Sequence, residues 1–125
     1  MFVEHYIPFL LLGGALKDEL RGKTFSRASS QIDFPATILS MLGLQHDQYH
    51  WSRNVFNSSI PAFAFYSFDD GFGWINERQQ LIFDNRTNQV MLKNDSLSAQ
   101  ENEAYLRQGK AYLQLLMDEY VSFVN

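Results

Sequence analysis

The 125-residue chain contains no cysteine. That excludes a disulfide framework, a thiolate metal site and a thiol nucleophile, and it suits either a reducing cytoplasm or a bacterial envelope protein built without disulfides. Positive charge is also scarce: ten Lys and Arg stand against fourteen Asp and Glu, for a net charge of −4. The basic residues are dispersed, so no stripe exists that would track a phosphate backbone, and no nucleic-acid partner is expected. Long hydrophobic runs are missing too. No apolar stretch approaches the ~20 residues needed to span a bilayer, and residues 1–12 lack the basic start and small-residue cleavage site of a signal peptide. The chain reads as soluble, with no direct membrane insertion. Internal repeats, low-complexity tracts and domain linkers are absent as well. What is present is apolar: 46% hydrophobic and 15% aromatic residues exclude disorder and permit one domain with a real core.

The best-specified stretch runs from Ser29 to Leu44. Asp33 is placed to accept hydrogen bonds from first-turn amides, and Pro35 sits near the first helical position, where its missing N–H costs nothing. Ile38, Leu39, Met41 and Leu42 give an apolar face at helical spacing. Gly43 then stands where a left-handed terminating residue is expected, with Leu44 placed to pack back. Upstream, His5 to Leu12 is apolar on both alternating faces, as in a strand covered on both sides. Pro8 removes one ladder donor, which points to a sheet edge. Ala15 to Ala28 reads as a polar surface connection with one short helical turn, and Gln45 to Ser59 has no regular period.

Further on, Ala62 to Phe68, Gly71 to Ile75, Gln80 to Phe83 and Gln89 to Lys93 read as successive strands. Asp69-Asp70-Gly71 and Asp84 to Asn88 supply turns between them, so 71–93 is predicted to be an antiparallel meander with one aromatic face. Ser98-Ala-Gln-Glu101 is a capping box that opens a long amphipathic helix, with Tyr105, Tyr112, Leu116, Tyr120 and Phe123 on one face. Gly109 in its middle either weakens the helix by about 1 kcal/mol or permits close packing against the sheet.

The block Ser-Gln-Ile-Asp-Phe-Pro-Ala-Thr-Ile-Leu-Ser-Met-Leu-Gly (30–43) resembles the segment that closes the catalytic domain of sulfatase-like enzymes of the alkaline phosphatase superfamily. The lipoteichoic acid synthase and phosphoglycerol transferase branch is the most similar. His5-Tyr-Ile-Pro-Phe-Leu-Leu-Leu-Gly-Gly is similar to that family's H-x-I-P strand, and the two blocks follow in the family's order and at about its distance. The match covers Glu4 to Phe56.

The resemblance implies an α/β fold, α+β in isolation: a strand plus capped helix from the edge of an alkaline-phosphatase-like sheet, then the meander and the C-terminal helix. Residues 1–60 would end the α/β core, and 61–125 would carry the antiparallel strands and helix. It implies a parent enzyme with a threonine nucleophile and a divalent metal (Mn, Zn, Mg or Ca), acting on sulfate or phosphate esters. That parent would be anchored in the inner membrane with this part periplasmic. The family's nucleophile and its Asp-His-Gly motif match no position here, so the chain is expected to be a C-terminal portion, inactive alone and binding no metal alone.

His5 resembles a histidine that ligates a metal or contacts the transferred group in two-metal members. The other reading is a histidine at the start of a strand with no ligand role. His46 and His50 stand four apart, as in a helical metal pair, but Gly43 has just ended a helix, so they read as loop histidines. Asp69, Asp70 and Glu77 are explained by turn chemistry rather than by acid/base work. Asn57, Asn85 and Asn94 each open an N-x-S/T sequon. Phe63, Phe65, Phe72, Trp74 and Phe83 suit sugar or lipid stacking or, more simply, a core against the long helix. The expected partners are the rest of the parent domain and, for the isolated chain, a second copy paired through the 5–12 strand. The alternative function is a non-catalytic α+β interaction module.

Overall fold

Alternation and turn residues build the sheet where the sequence places it. A computed structural model describes residues 7–124. Four strands, β1 (Ala64–Phe68), β2 (Gly71–Ile75), β3 (Gln80–Asp84) and β4 (Gln89–Leu92), lie in the order β1-β2-β3-β4, all antiparallel. Each connection has its own chemistry. Asp69 and Asp70 join Phe68 to its partner Gly71. In the next turn the Asn76 side chain accepts the amides of Arg78 and Gln79 at 2.9 and 2.8 Å. In the last, Asp84 accepts those of Arg86 and Thr87 at 2.8 and 2.9 Å, and Asn88 takes a left-handed φ of 56°. Hydrogen bonding from the Thr87 amide, the largest cause, holds the Asp84 carboxyl below its usual range.

Helix α2 (Ala99–Val124) opens on the expected capping box: Glu101 accepts the Ser98 amide at 2.9 Å, and Ser98 Oγ accepts the Glu101 amide at 3.2 Å. It packs on β2 and β3, so Phe72, Trp74, Leu81 and Phe83 form the core, with Phe63, Phe65, Tyr105, Leu106, Tyr112 and Leu113 against it. The aromatic face is therefore core. Gly109 is buried at this crossing, and a Cβ there would stand 2.2 Å from the fully buried ring of Phe72. Of the two readings of this glycine, close packing is the observed one. Past Leu116 the apolar stripe of α2 runs on uncovered, with Tyr120 65% and Phe123 80% exposed.

A buried amide network ties the strands to the helix start. Gln79, 2% exposed, donates to Asn102 Oδ1 and accepts the Asn94 amide at 2.7 Å. Asn94 in turn donates to the Arg78 carbonyl at 2.7 Å.

The N-terminal half departs from expectation. Of the 5–12 stretch, the described residues 7–12 form no strand, and Ile7, Phe9, Leu10 and Leu12 are half or more exposed. A strand needs a partner ladder; the sheet's β1 edge is engaged elsewhere, and Pro8 offers no donor. The short helical turn in the connection is Asp18–Leu20. Helix α1 (Phe34–Met41) ends as its sequence requires: Gly43 has φ 69°, its amide donates to Ser40 O at 3.1 Å, and Leu44 donates to Leu39 O at 2.8 Å. Its buried face differs from the apolar pattern, however, being Ala36 and Thr37, while Leu42 is 51% exposed.

Replacing Gly109 by alanine tests the helix contact. Helix propensity alone favours alanine by about 1 kcal/mol, whereas overpacking a rigid core costs about 1–3 kcal/mol. Because Phe72 is fully buried among the rings of the core, the expected outcome is a net loss of stability in urea denaturation. A gain would mean that α2 rides higher on the sheet.

Candidate functional site

A second polar centre gathers around Asp33. A 3-10 turn, Gln31–Asp33, leads into α1 and turns the Asp33 side chain inward, where it is 2% exposed. Its Oδ1 accepts the Arg53 amide and Nε, both at 3.0 Å; its Oδ2 accepts the Ser30 amide at 2.9 Å and Arg53 Nη2 at 2.8 Å. All four lone-pair positions of the carboxylate are thus used. The cap role expected of this side chain is corrected: Asp33 is spent on Arg53 and Ser30, and the α1 amide of Ala36 donates instead to Ser52 Oγ at 2.9 Å.

Neighbouring residues extend the centre. Arg53 also donates to the Phe63 carbonyl at 2.8 Å and lies 3.6 Å over the Phe63 ring, which stacks on Trp74 at 4.3 Å. Ser30 Oγ accepts the Phe65 amide at 3.1 Å, so it occupies the outer edge of β1. Thr37 Oγ1 donates to the Asp33 carbonyl at 2.6 Å and accepts the Val55 amide at 3.1 Å. Arg27 clasps the same loop through the carbonyls of Val55 and Asn57, at 2.9 and 2.7 Å. No buried side-chain nitrogen or oxygen here lacks a partner within the chain, which is the chemistry of a structural clamp.

The sequence-derived site residues do not converge. His5 lies outside the described residues. His46 and His50 fall in a turn rather than on a helix, and only His50 finds a carboxylate, Glu119, at 3.1 Å. Asp69 and Asp70 join β1 to β2, whereas Glu77 sits in the turn at the opposite end of β2, so they are not a carboxylate pair. Asn57 and Asn85 are exposed; Asn94 is held in the amide network. Among the described residues no group of three or more His, Asp or Glu could hold a metal ion, and no helix is long and apolar enough to cross a membrane. An open groove of about 1000 Å³ separates residues 7–29 from the sheet face turned away from α2, lined by Leu10, Leu16, Phe25, Tyr66 and Ile75 among others.

Arg53, Arg27 and Glu119 had no visible signal in the sequence, since a charged side chain in an aperiodic loop or on a helix shows no partner 20 or more residues away. Comparisons of the chain with family models, with curated proteins and with solved structures find no match.

Breaking the clamp has a large expected cost. Removing one partner of a buried ion pair leaves the other charge uncompensated, at about 3–5 kcal/mol. Asp33→Ala is therefore expected to lose that much in urea denaturation, well above the ~1 kcal/mol of a lost helix cap. In a double-mutant cycle, Arg53→Met in the Asp33→Ala background should cost much less than it does alone. Additive losses would mean the two side chains do not act as a pair.

Proposed function

We propose that this chain is the C-terminal portion of a metal-dependent enzyme of the sulfatase and phosphoglycerol transferase kind, acting on sulfate or phosphate esters. The observation that carries the reading is where the resemblance falls. Ser30, Asp33 and Thr37, three of the polar positions of the resembling block, tie α1 to the 52–55 loop and to β1, while Gln31 of the same block is exposed. A helix with fixed ends, clamped to the following sheet, suits the closing segment of a catalytic domain. On this reading the chain supplies support, while the threonine nucleophile, the metal ligands and the membrane anchor of a periplasm-facing parent lie upstream. His5 would be its one contribution to the metal.

The alternative, a non-catalytic interaction module, is favoured by one feature, the uncovered apolar stripe of α2 at Tyr120 and Phe123. Sequence upstream in the same reading frame separates the two: an Asp-His-Gly within about twenty residues of His5 supports the enzyme. Activity gives a second test. The isolated chain should not turn over aryl phosphate or aryl sulfate with added zinc or manganese, whereas the extended protein should. Turnover by the isolated chain that is lost in His5→Ala would overturn the assignment of nucleophile and ligands to an upstream segment.

The same reading makes residues 7–12 a surface meant to be covered. Ile7, Phe9, Leu10 and Leu12 are 58, 50, 77 and 82% exposed, and Phe9 meets Phe34 at 4.9 Å. Contiguous apolar surface of this kind associates. We propose that the isolated chain pairs with a second copy through this segment. Light scattering at micromolar concentration should give a dimer, and Leu10→Asp with Leu12→Asp should return a monomer. A monodisperse monomer in the parent sequence would show that no partner is needed here.

A further inference from the structure

The 46–51 turn meets α2 at a single carboxylate. Glu119 Oε2 accepts the indole N–H of Trp51 and lies 3.1 Å from His50 Nε2. Trp51 sets its ring edge-on to Tyr112, 5.1 Å between centroids, and lies 5.6 Å from the imidazole of His50. The Glu119 side chain is 27% exposed and that of His50 61%, so solvent protons reach both. We propose that Glu119, His50 and Trp51 form an acid-released latch, in which the ionised carboxylate holds the turn against α2 and its protonation lets the turn go.

The chemistry follows from the donor count. An ionised carboxylate only accepts, and here one oxygen serves two donors from adjacent residues. Protonation, which can fall on Oε1, neutralises the group, so both donors lose the negative charge that held them and keep at most a weaker, neutral acceptor. His50 must present a proton at Nε2 to act as the second donor.

The sign is consistent with the local field. The hydrogen bond from His50 is the largest cause holding the Glu119 carboxyl below the usual glutamate range, with the Trp51 N–H adding to it against partial desolvation. A carboxyl held low in the folded state contributes stability above its unfolded value and loses that contribution as pH falls through the folded value. Other charges nearby do not reverse this. Asp118 precedes Glu119 on α2, His46 and Asp47 flank the turn, and Asp33 and Arg53, whose fields reach Tyr112 with opposite signs, are paired with each other. Release would free Trp51 and uncover the Tyr112 edge of the aromatic cluster.

The chain's two tryptophans make the test direct. Trp74 Nε1 is buried with no hydrogen-bond partner, whereas Trp51 Nε1 is bound to a carboxylate, so nitrogen-15 NMR should give two distinct indole signals. In an acid titration the Trp51 signal should step with a midpoint below the ordinary glutamate value of about 4.3, while the Trp74 signal stays put. His50→Gln should raise that midpoint. Glu119→Ala should remove the step and speed indole hydrogen exchange at Trp51 severalfold at neutral pH. Glu119→Gln, which keeps the side-chain shape, should also remove the step and serves if the alanine variant unfolds. The latch is overturned if the two indole signals move only together, if the step survives in Glu119→Gln, or if His50→Gln leaves its midpoint unchanged.

Discussion

The buried pair of Asp33 and Arg53 is the contact on which the N-terminal half depends. It joins three segments that make no regular ladder with one another: the 3-10 turn before α1, the 52–55 loop, and the strand entered at Phe63. Burying two charges costs several kcal/mol each, and the cost is recovered only when geometry is good and the remaining hydrogen-bonding sites are filled. Both conditions hold. The guanidinium and carboxylate meet through two parallel bonds, the carboxylate takes two further backbone amides, and the guanidinium has a carbonyl and an aromatic face besides. With total stabilities of about 5–15 kcal/mol for a domain, breaking one side of such a pair removes a large share, because the charge left behind is uncompensated.

The C-terminal half rests on different physics. Its core is a sheet face of rings laid against one helix, and the approach is set by the missing side chain at Gly109 over Phe72. Close packing of this sort is unforgiving, because dispersion contacts are lost with small gaps and strain rises with small overlaps. The two halves then meet at Phe63, whose ring carries the Arg53 guanidinium on one side and stacks on Trp74 on the other. Polar clamp and aromatic core are continuous there, as they are where Ser30 holds the Phe65 amide.

Local signals made the C-terminal half legible. Period-two alternation placed β1 to β4, Asn and Asp placed the turns, and Ser98 with Glu101 placed the start of α2, all within a residue or two. The stop of α1 at Gly43 was legible for the same reason, since a left-handed glycine acts within one turn of chain. Where the sequence misled, the deciding interaction was long-range. Asp33 has the right type and position for a cap, but a guanidinium 20 residues on competes for its oxygens and wins, because a charge-assisted bidentate pair outweighs one or two amide bonds. Residues 7–12 have the composition of a buried strand, yet composition cannot supply the neighbouring strands that such a segment requires.

The edge of the sheet shows how the clamp shapes what the protein can do. An unpaired edge strand is a template for association, and β1 would be one if left open. Its first half is blocked by side chains of the clamp: Ser30 takes the Phe65 amide, and Arg53 takes the carbonyl of Phe63 just before the strand. The residues that fix α1 therefore also obstruct strand addition at the start of this edge. The apolar 7–12 segment and the far end of α2 at Tyr120 and Phe123 are surfaces of a different kind. A partner that covered either would meet side chains rather than a backbone ladder, so its specificity would be set by shape and apolar area rather than by register.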